Sequence, residues 1–203
     1  MKPSCCVGLA PDPTSFHRLP VMSSLDPSLA PHAPATVRAL RHALIRDLGD
    51  GFAGALQEAG TASGGGVMDA FDGWCSARGL GHPEALAISR FRAALTDFLA
   101  ESEWGRVRFI PLGEAVVALE AADWAEAEEA PALRHPSCFF SAGMLADLLG
   151  RVADGPMACL EVTCRAAGDA GCRFLLGSPE VLTAVHERIL EGSGHEAAVR
   201  AVS

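Results

Sequence analysis

The sequence predicts an α+β domain in which helices pack on an antiparallel sheet made of hairpins. Three observations predict it. Apolar residues recur at helical spacing through much of the chain. Two segments, near 105–120 and 157–177, instead alternate and turn back on themselves. No strand–helix–strand unit carries a GxGxxG turn, so a Rossmann nucleotide site is excluded.

The elements follow in chain order. Residues 1–35 contain Cys5 and Cys6 and, between 11 and 34, six prolines, a density that predicts a flexible arm. Adjacent side chains in an extended arm point apart, so Cys5 and Cys6 make a poor metal pair. Thr36 is placed to cap a helix whose Leu40, Leu44, Leu48, Phe52 and Leu56 recur every four residues and face inward. Gly60 ends it, and "GTASGGG" (60–66) reads as a break between helices. It follows a helix and lacks a Gly-Lys-Ser/Thr, so it is not a phosphate loop. A second helix covers 66–77. A third runs from Pro83 to Ala100, with Leu86, Ile88, Phe91, Leu95 and Phe98 inward.

The period then changes. "GRVRFI" (105–110) is a half-buried strand, and "AVVALE" (115–120) returns beside it. The acidic "DWAEAEEA" crosses to a helix capped by Ser137, with Phe140, Met144, Leu145, Leu148 and Val152 inward. "MACLEVTC" and "CRFLLG" form a second hairpin around "GDAG". Ser178 and Pro179 open a last helix that Gly192 closes, and 193–203 reads as a tail. The organisation is an arm (1–35), one domain (36–192) and a tail.

With 203 residues the chain is long enough for one proper core, and 49% hydrophobic with 20% charged residues suits a soluble globular protein. No apolar run approaches the roughly 18 residues of a membrane span, and the N-terminus lacks the apolar core of a secretory leader. A cytoplasmic location is the expectation. A net charge of −9, with 16 scattered basic residues, argues against nucleic acid as a partner. Seven cysteines in a reducing compartment predict free thiols or metal ligands, not a disulfide framework.

Three of those cysteines crowd into "CLEVTCRAAGDAGC" (159–172). The tight turn makes Cys164 and Cys172 cross-strand neighbours, well placed to share a metal ion. Glu161 would share their face only if a bulge near 162–163 offset the strand's alternation. A further ligand would be Cys138, at the start of its helix where the dipole favours thiolate, or Cys159. Cys159 and Cys75 sit in apolar surroundings and read as core. Spacing alone leaves two readings open: a zinc site, or small buried thiols.

"PSCFFSAGMLADLLG" followed by "CLEVTCRAAGDAGCRFLLG" resembles the 4-vinyl-reductase domain family, most closely its stand-alone bacteriochlorophyll-synthesis branch. The same family supplies the effector domains of phenol- and xylene-responsive activators. "FLAESEWGRVRF" and "ADWAEAEE" extend the resemblance to about residues 36–190. It implies a fold similar to the TRAPP-subunit and NO-signalling ligand-binding fold, usually dimeric, with an apolar ligand pocket. It also implies structural Zn2+ on Cys138, Glu161, Cys164 and Cys172. Trp124 is the implied ligand contact, with Trp104, Phe139 and Phe140 secondary, and His135, ahead of His82 and His186, is the candidate axial ligand of a tetrapyrrole magnesium. The sequence departs from the sensors in a shorter spacer between Trp124 and Cys138 and in having no tyrosine. No flavin or nicotinamide motif supplies a hydride, so binding is favoured over independent catalysis. The implied role is a carrier or accessory for a magnesium-tetrapyrrole intermediate of bacteriochlorophyll synthesis, alongside that pathway's enzymes. The alternative is a stand-alone sensor of a small aromatic effector that acts through a partner protein.

Overall fold

The computed structural model describes residues 33–127 and 135–202. Cys5, Cys6 and most of the proline-rich arm lie outside them. Six helices are present among the described residues: α1 (Ala33–Leu48), α2 (Phe52–Ala77), α3 (Ile88–Glu101), α4 (Phe139–Val152), α5 (Pro179–Leu190) and α6 (His195–Arg200). Strands β1 (Val107–Pro111), β2 (Val117–Ala121), β3 (Ala158–Thr163) and β4 (Cys172–Gly177) form one antiparallel sheet in the order β1-β2-β4-β3. The α+β class and both hairpins are as the sequence predicts.

The alternation of each strand sorts its side chains between two apolar layers. Leu119 and Phe174 face a large core built with Phe71, Phe91, Leu95, Met144, Leu145 and Leu148 of α2, α3 and α4. Ala118 and Leu175 face the other way, onto Leu182 and Val185 of α5 and Ala198 and Val199 of α6. The residues read as a tail thus include a short helix that closes the second layer. No helix is long and apolar enough to cross a membrane among the described residues.

The helical half differs from expectation in where it breaks. The chain interrupts its first stripe at Gly49–Gly51, a 3-10 turn in which Gly49 takes φ +52°, and not at Gly60. α2 then runs unbroken through "GTASGGG". Gly60 serves packing rather than a turn. A Cβ on Gly60 would collide with the Phe140 carbonyl, and one on Gly143 with the Gln57 carbonyl. Removing both side chains lets α2 and α4 cross at backbone contact.

Three inward assignments also change. Leu40 and Leu48 are 43% and 49% exposed, because the break at Gly49 takes α1 off the stripe that buries Phe52 and Leu56, and α1 turns Val37 and Arg41 inward instead. Ile88 is 64% exposed, since a 3-10 turn at Pro83–Ala85 delays α3 and puts its first residue outside. Ser137 does not cap α4. Cys138 occupies the cap position, and the Ser137 hydroxyl accepts a hydrogen bond from Arg41 instead.

Candidate metal centre

Four side chains from three elements meet between α4 and the β3–β4 hairpin. Cys138 sits at the start of α4. Glu161 lies on β3, Cys164 just beyond its end, and Cys172 opens β4. The β3–β4 register pairs Glu161 with Phe174 and Thr163 with Arg173, so the strand is irregular between them and Val162 is the extra residue. That bulge reverses the alternation, and Glu161 and Cys164 come out on one face. A short 3-10 turn, Arg165–Ala167, and Gly168 at φ +102° complete the loop. Inside it the Cys164 amide donates to Asp169 Oδ2 at 2.8 Å, which fixes the ligand's backbone.

The ligand atoms of Cys138, Glu161, Cys164 and Cys172 all lie within 4.8 Å of one another, and all four residues are buried. Cys138 Sγ and Cys164 Sγ are 3.7 Å apart. A tetrahedral ion with sulfur bonds of about 2.3 Å separates its sulfurs by roughly 3.8 Å, so the spacing matches such an ion with little adjustment. Glu161 Oε2 accepts the Cys138 amide at 2.8 Å, while Glu161 Oε1 is buried with no hydrogen-bond partner. A buried carboxylate oxygen left without a partner costs about 1–3 kcal/mol or more. Coordination would satisfy it. Three sulfurs and one carboxylate oxygen fit a metal ion by donor type, spacing and this orphaned atom together.

The electrostatics point the same way. Hydrogen bonds from Cys138 and Cys172 hold the Cys164 thiol far below the usual thiol range. Burial, then the neighbouring thiols, push Cys138 well above it. At Cys172 the bond with Cys138 pulls downward, but the bond with Cys164 and burial outweigh it and leave the thiol raised. Burial, then the charge on Cys164, raise the Glu161 carboxyl to about 8. A closed site that gathers negative charge on Cys164 and strains to ionise its other groups is one that a cation would relieve.

A second set of residues supports α4 beside the cluster. Glu126 is fully buried. Its Oε1 accepts the Phe140 amide at 3.2 Å, and its Oε2 accepts the Ser141 amide at 2.8 Å and the Ser141 hydroxyl. Those amides are orphan donors of a helix start, and a carboxylate there also meets the positive end of the dipole. Burial nevertheless raises the Glu126 carboxyl above its ordinary value. Trp124 Nε1 donates to Ser141 Oγ at 2.8 Å.

The residues proposed from the resemblance for ligand contact divide in two. Trp124, wholly buried, lies against Trp104 and Phe174, and Trp104 stacks on Phe140 with planes 5° apart. His135 does not join them. It is exposed, with its Nδ1 against the Pro136 carbonyl. A cleft of about 550 Å³ lies elsewhere, between α2, α4 and the β3 edge, lined by Thr61, Asp147, Arg151, Met157 and Cys159 among others. Cys159 is half-buried at its wall, whereas Cys75 is core as expected. Sequence reasoning passed over Arg41, Glu126 and Ser141, and read Ser137 only as a helix cap. Their one signal was polarity next to apolar stripes, which a surface residue shows equally.

Residues 117–178 match the 4-vinyl-reductase domain family. That span holds β2, α4, β3 and β4 and all four residues of the cluster. No curated protein matches the chain. Among solved structures, the fold is similar to the phenol-responsive sensory domain of the transcription activator PoxR, solved with phenol, at 18% identity and a TM-score of 0.53, over 83% of this chain and 80% of that one. It is also similar to a trafficking protein particle complex subunit 3 from Naegleria fowleri, covalently bound to palmitic acid, at 11% identity and a TM-score of 0.55, over 75% and 96%. A vinyl-4-reductase family protein from Methanocaldococcus jannaschii aligns at 16% identity and a TM-score of 0.46, over 78% and 97%. At such identities the likeness establishes the fold: helices on a four-stranded antiparallel sheet, shared with a TRAPP subunit and a phenol-responsive sensory domain.

Proposed function

We propose that the chain is a metal-stapled binding domain for a small hydrophobic, aromatic molecule, with Zn2+ on Cys138, Glu161, Cys164 and Cys172. The observation that carries the metal is the buried, unpartnered Glu161 Oε1 among three sulfurs, with all four ligand atoms within 4.8 Å of one another. Zinc would act there as a structural tie, because four protein ligands leave no position for an activated water. Cys138 would bring the start of α4, and the other three the hairpin.

The ligand reading rests on the group around Trp124. Trp104 and Phe174 lie against it, Phe140 stacks on Trp104, and Ser141 and Glu126 add a polar handle at the indole N–H. An apolar body with one polar end suits a single aromatic ring bearing a hydroxyl. The phenol in the PoxR sensory domain supports the same class. Such a domain is a sensor that acts through a partner protein, in the cytoplasm and as a homodimer.

A second reading takes a tetrapyrrole precursor of bacteriochlorophyll as the ligand. Either ligand would need the closed aromatic group to open, since Trp124, Trp104 and Phe174 are buried, and a macrocycle has instead the cleft between α2 and α4, which falls within the usual size range of ligand sites. One titration separates the two readings. Simple phenols should quench the tryptophan fluorescence saturably, and Trp124→Phe should weaken that response at least tenfold. Saturable Soret shifts of a magnesium porphyrin, with silence towards phenols, would establish the second reading in its place. For the metal, the protein as purified should hold one zinc per chain, and Cys164→Ser should hold none. A full complement of zinc in that variant would remove the proposal.

A further inference from the structure

The metal cluster is joined to α1 by a run of buried polar groups. Arg41 of α1 is fully buried, one turn after Val37, which packs into the large core. Its Nη1 donates to the Glu126 carbonyl at 3.3 Å, and its Nη2 donates to Ser137 Oγ at 2.7 Å. These two acceptors stand on either side of the 128–134 segment. One guanidinium thus bridges the chain leaving Trp124 and the chain entering α4. Arg38, one turn earlier, adds a bond to the Ala125 carbonyl at 3.2 Å.

Both acceptors touch the cluster's geometry. Ser137 immediately precedes Cys138, and it is itself fully buried. Glu126 carries the first amides of α4, the helix that Cys138 begins. Residue 137 therefore leads directly into a ligand residue, and Arg41 holds residue 137.

We propose that Arg41 is a positioning residue of the metal centre, through which docking of α1 and occupancy of the cluster stabilise each other. This inference rests on the metal reading above. Burying a guanidinium is costly unless its donors are satisfied in good geometry. An ion that fixes Cys138 also restrains Ser137, its neighbour in the chain, and so presents a ready acceptor to α1. Coupling of this kind is reciprocal: the factor by which α1 docking strengthens metal binding is the factor by which metal strengthens docking.

Two measurements on the full chain test it. Zinc affinity is measured by competition with a chromophoric chelator for the wild type, Arg41→Lys, Arg41→Met and Ser137→Ala. Hydrogen exchange of α1 is followed with and without bound zinc. Partners that orient metal ligands are typically worth about 10–100-fold in affinity. Arg41→Met should therefore weaken zinc binding about tenfold or more, with Arg41→Lys between it and the wild type. Ser137→Ala, which leaves the core intact should Arg41→Met fail to fold, should weaken it in the same direction. Chelation should speed exchange in α1 of the wild type, and exchange in α1 of Arg41→Met should be fast with or without zinc. Wild-type affinity in folded Arg41→Met or in Ser137→Ala, or α1 exchange indifferent to zinc in the wild type, would overturn the coupling and leave the metal site standing. A wild type that takes up no metal would overturn both.

Discussion

Glu161 is the residue on which the cluster turns, because its two oxygens have different fates. Oε2 is used up by the Cys138 amide, and Oε1 is held in reserve with no protein partner. Glu161→Gln keeps an acceptor for that amide and removes the charge. The variant should stay folded yet bind zinc at least tenfold more weakly, as metal competition would read out; even groups behind the ligands are worth about 10–100-fold. The site should also respond to pH. With the Glu161 carboxyl raised to about 8 in the metal-free protein and the Cys138 and Cys172 thiols raised too, zinc must displace protons to bind. Apparent affinity should therefore fall with pH throughout the range from roughly pH 9 to 6, more steeply below about 8 where Glu161 also protonates, and a flat profile there would contradict the ligand set.

At the scale of elements, glycines in one helix do opposite things. Gly60 of α2 lies where an added Cβ would strike the Phe140 backbone, and Gly66 of the same helix has open space around it. Alanine gains about 1 kcal/mol over glycine in a helix interior. At Gly66 nothing opposes that gain, so Gly66→Ala should raise the unfolding midpoint slightly. At Gly60 backbone must move against backbone, and overpacking costs about 1–3 kcal/mol or more. Gly60→Ala should thus be destabilised, and parallel thermal melts of the two variants would show opposite signs. The start of α4 depends similarly on Glu126. Glu126→Ala strips an acceptor from two amides and a hydroxyl and should cost about 1–3 kcal/mol, read in denaturant unfolding.

On the scale of the whole molecule, the sheet separates two apolar layers, and the cluster ties α4 of one layer to the β3–β4 hairpin that forms the sheet's end. A metal there joins elements that lie far apart in sequence. Its stabilisation follows mass action: free ion at a thousandfold over Kd contributes about 4 kcal/mol. In a domain of this size, each kcal/mol moves the midpoint by about 2–4 °C. Chelation should therefore lower the melting temperature by roughly 10 °C, with α4 and the hairpin losing protection before α5 and α6. An unchanged melt after complete removal of metal would show that the tie bears no weight.

By itself the sequence determined the α+β class, both hairpins, the capped start of α5 and the need for a bulge beside Glu161. Each of these is written in local signals: alternation, turn residues, a Ser-Pro cap, and the odd offset of three positions from Glu161 to Cys164. Tertiary structure decided what local signals leave degenerate. A glycine reads the same whether it breaks a helix, as at Gly49, or lets two helices touch, as at Gly60. A polar residue in a helix or an acidic loop reads as solvated until the chain folds Arg41, Glu126 and Ser137 into one buried network. Distance along the chain carries no record of which backbone will lie across it, and that crossing is what gives these residues their work.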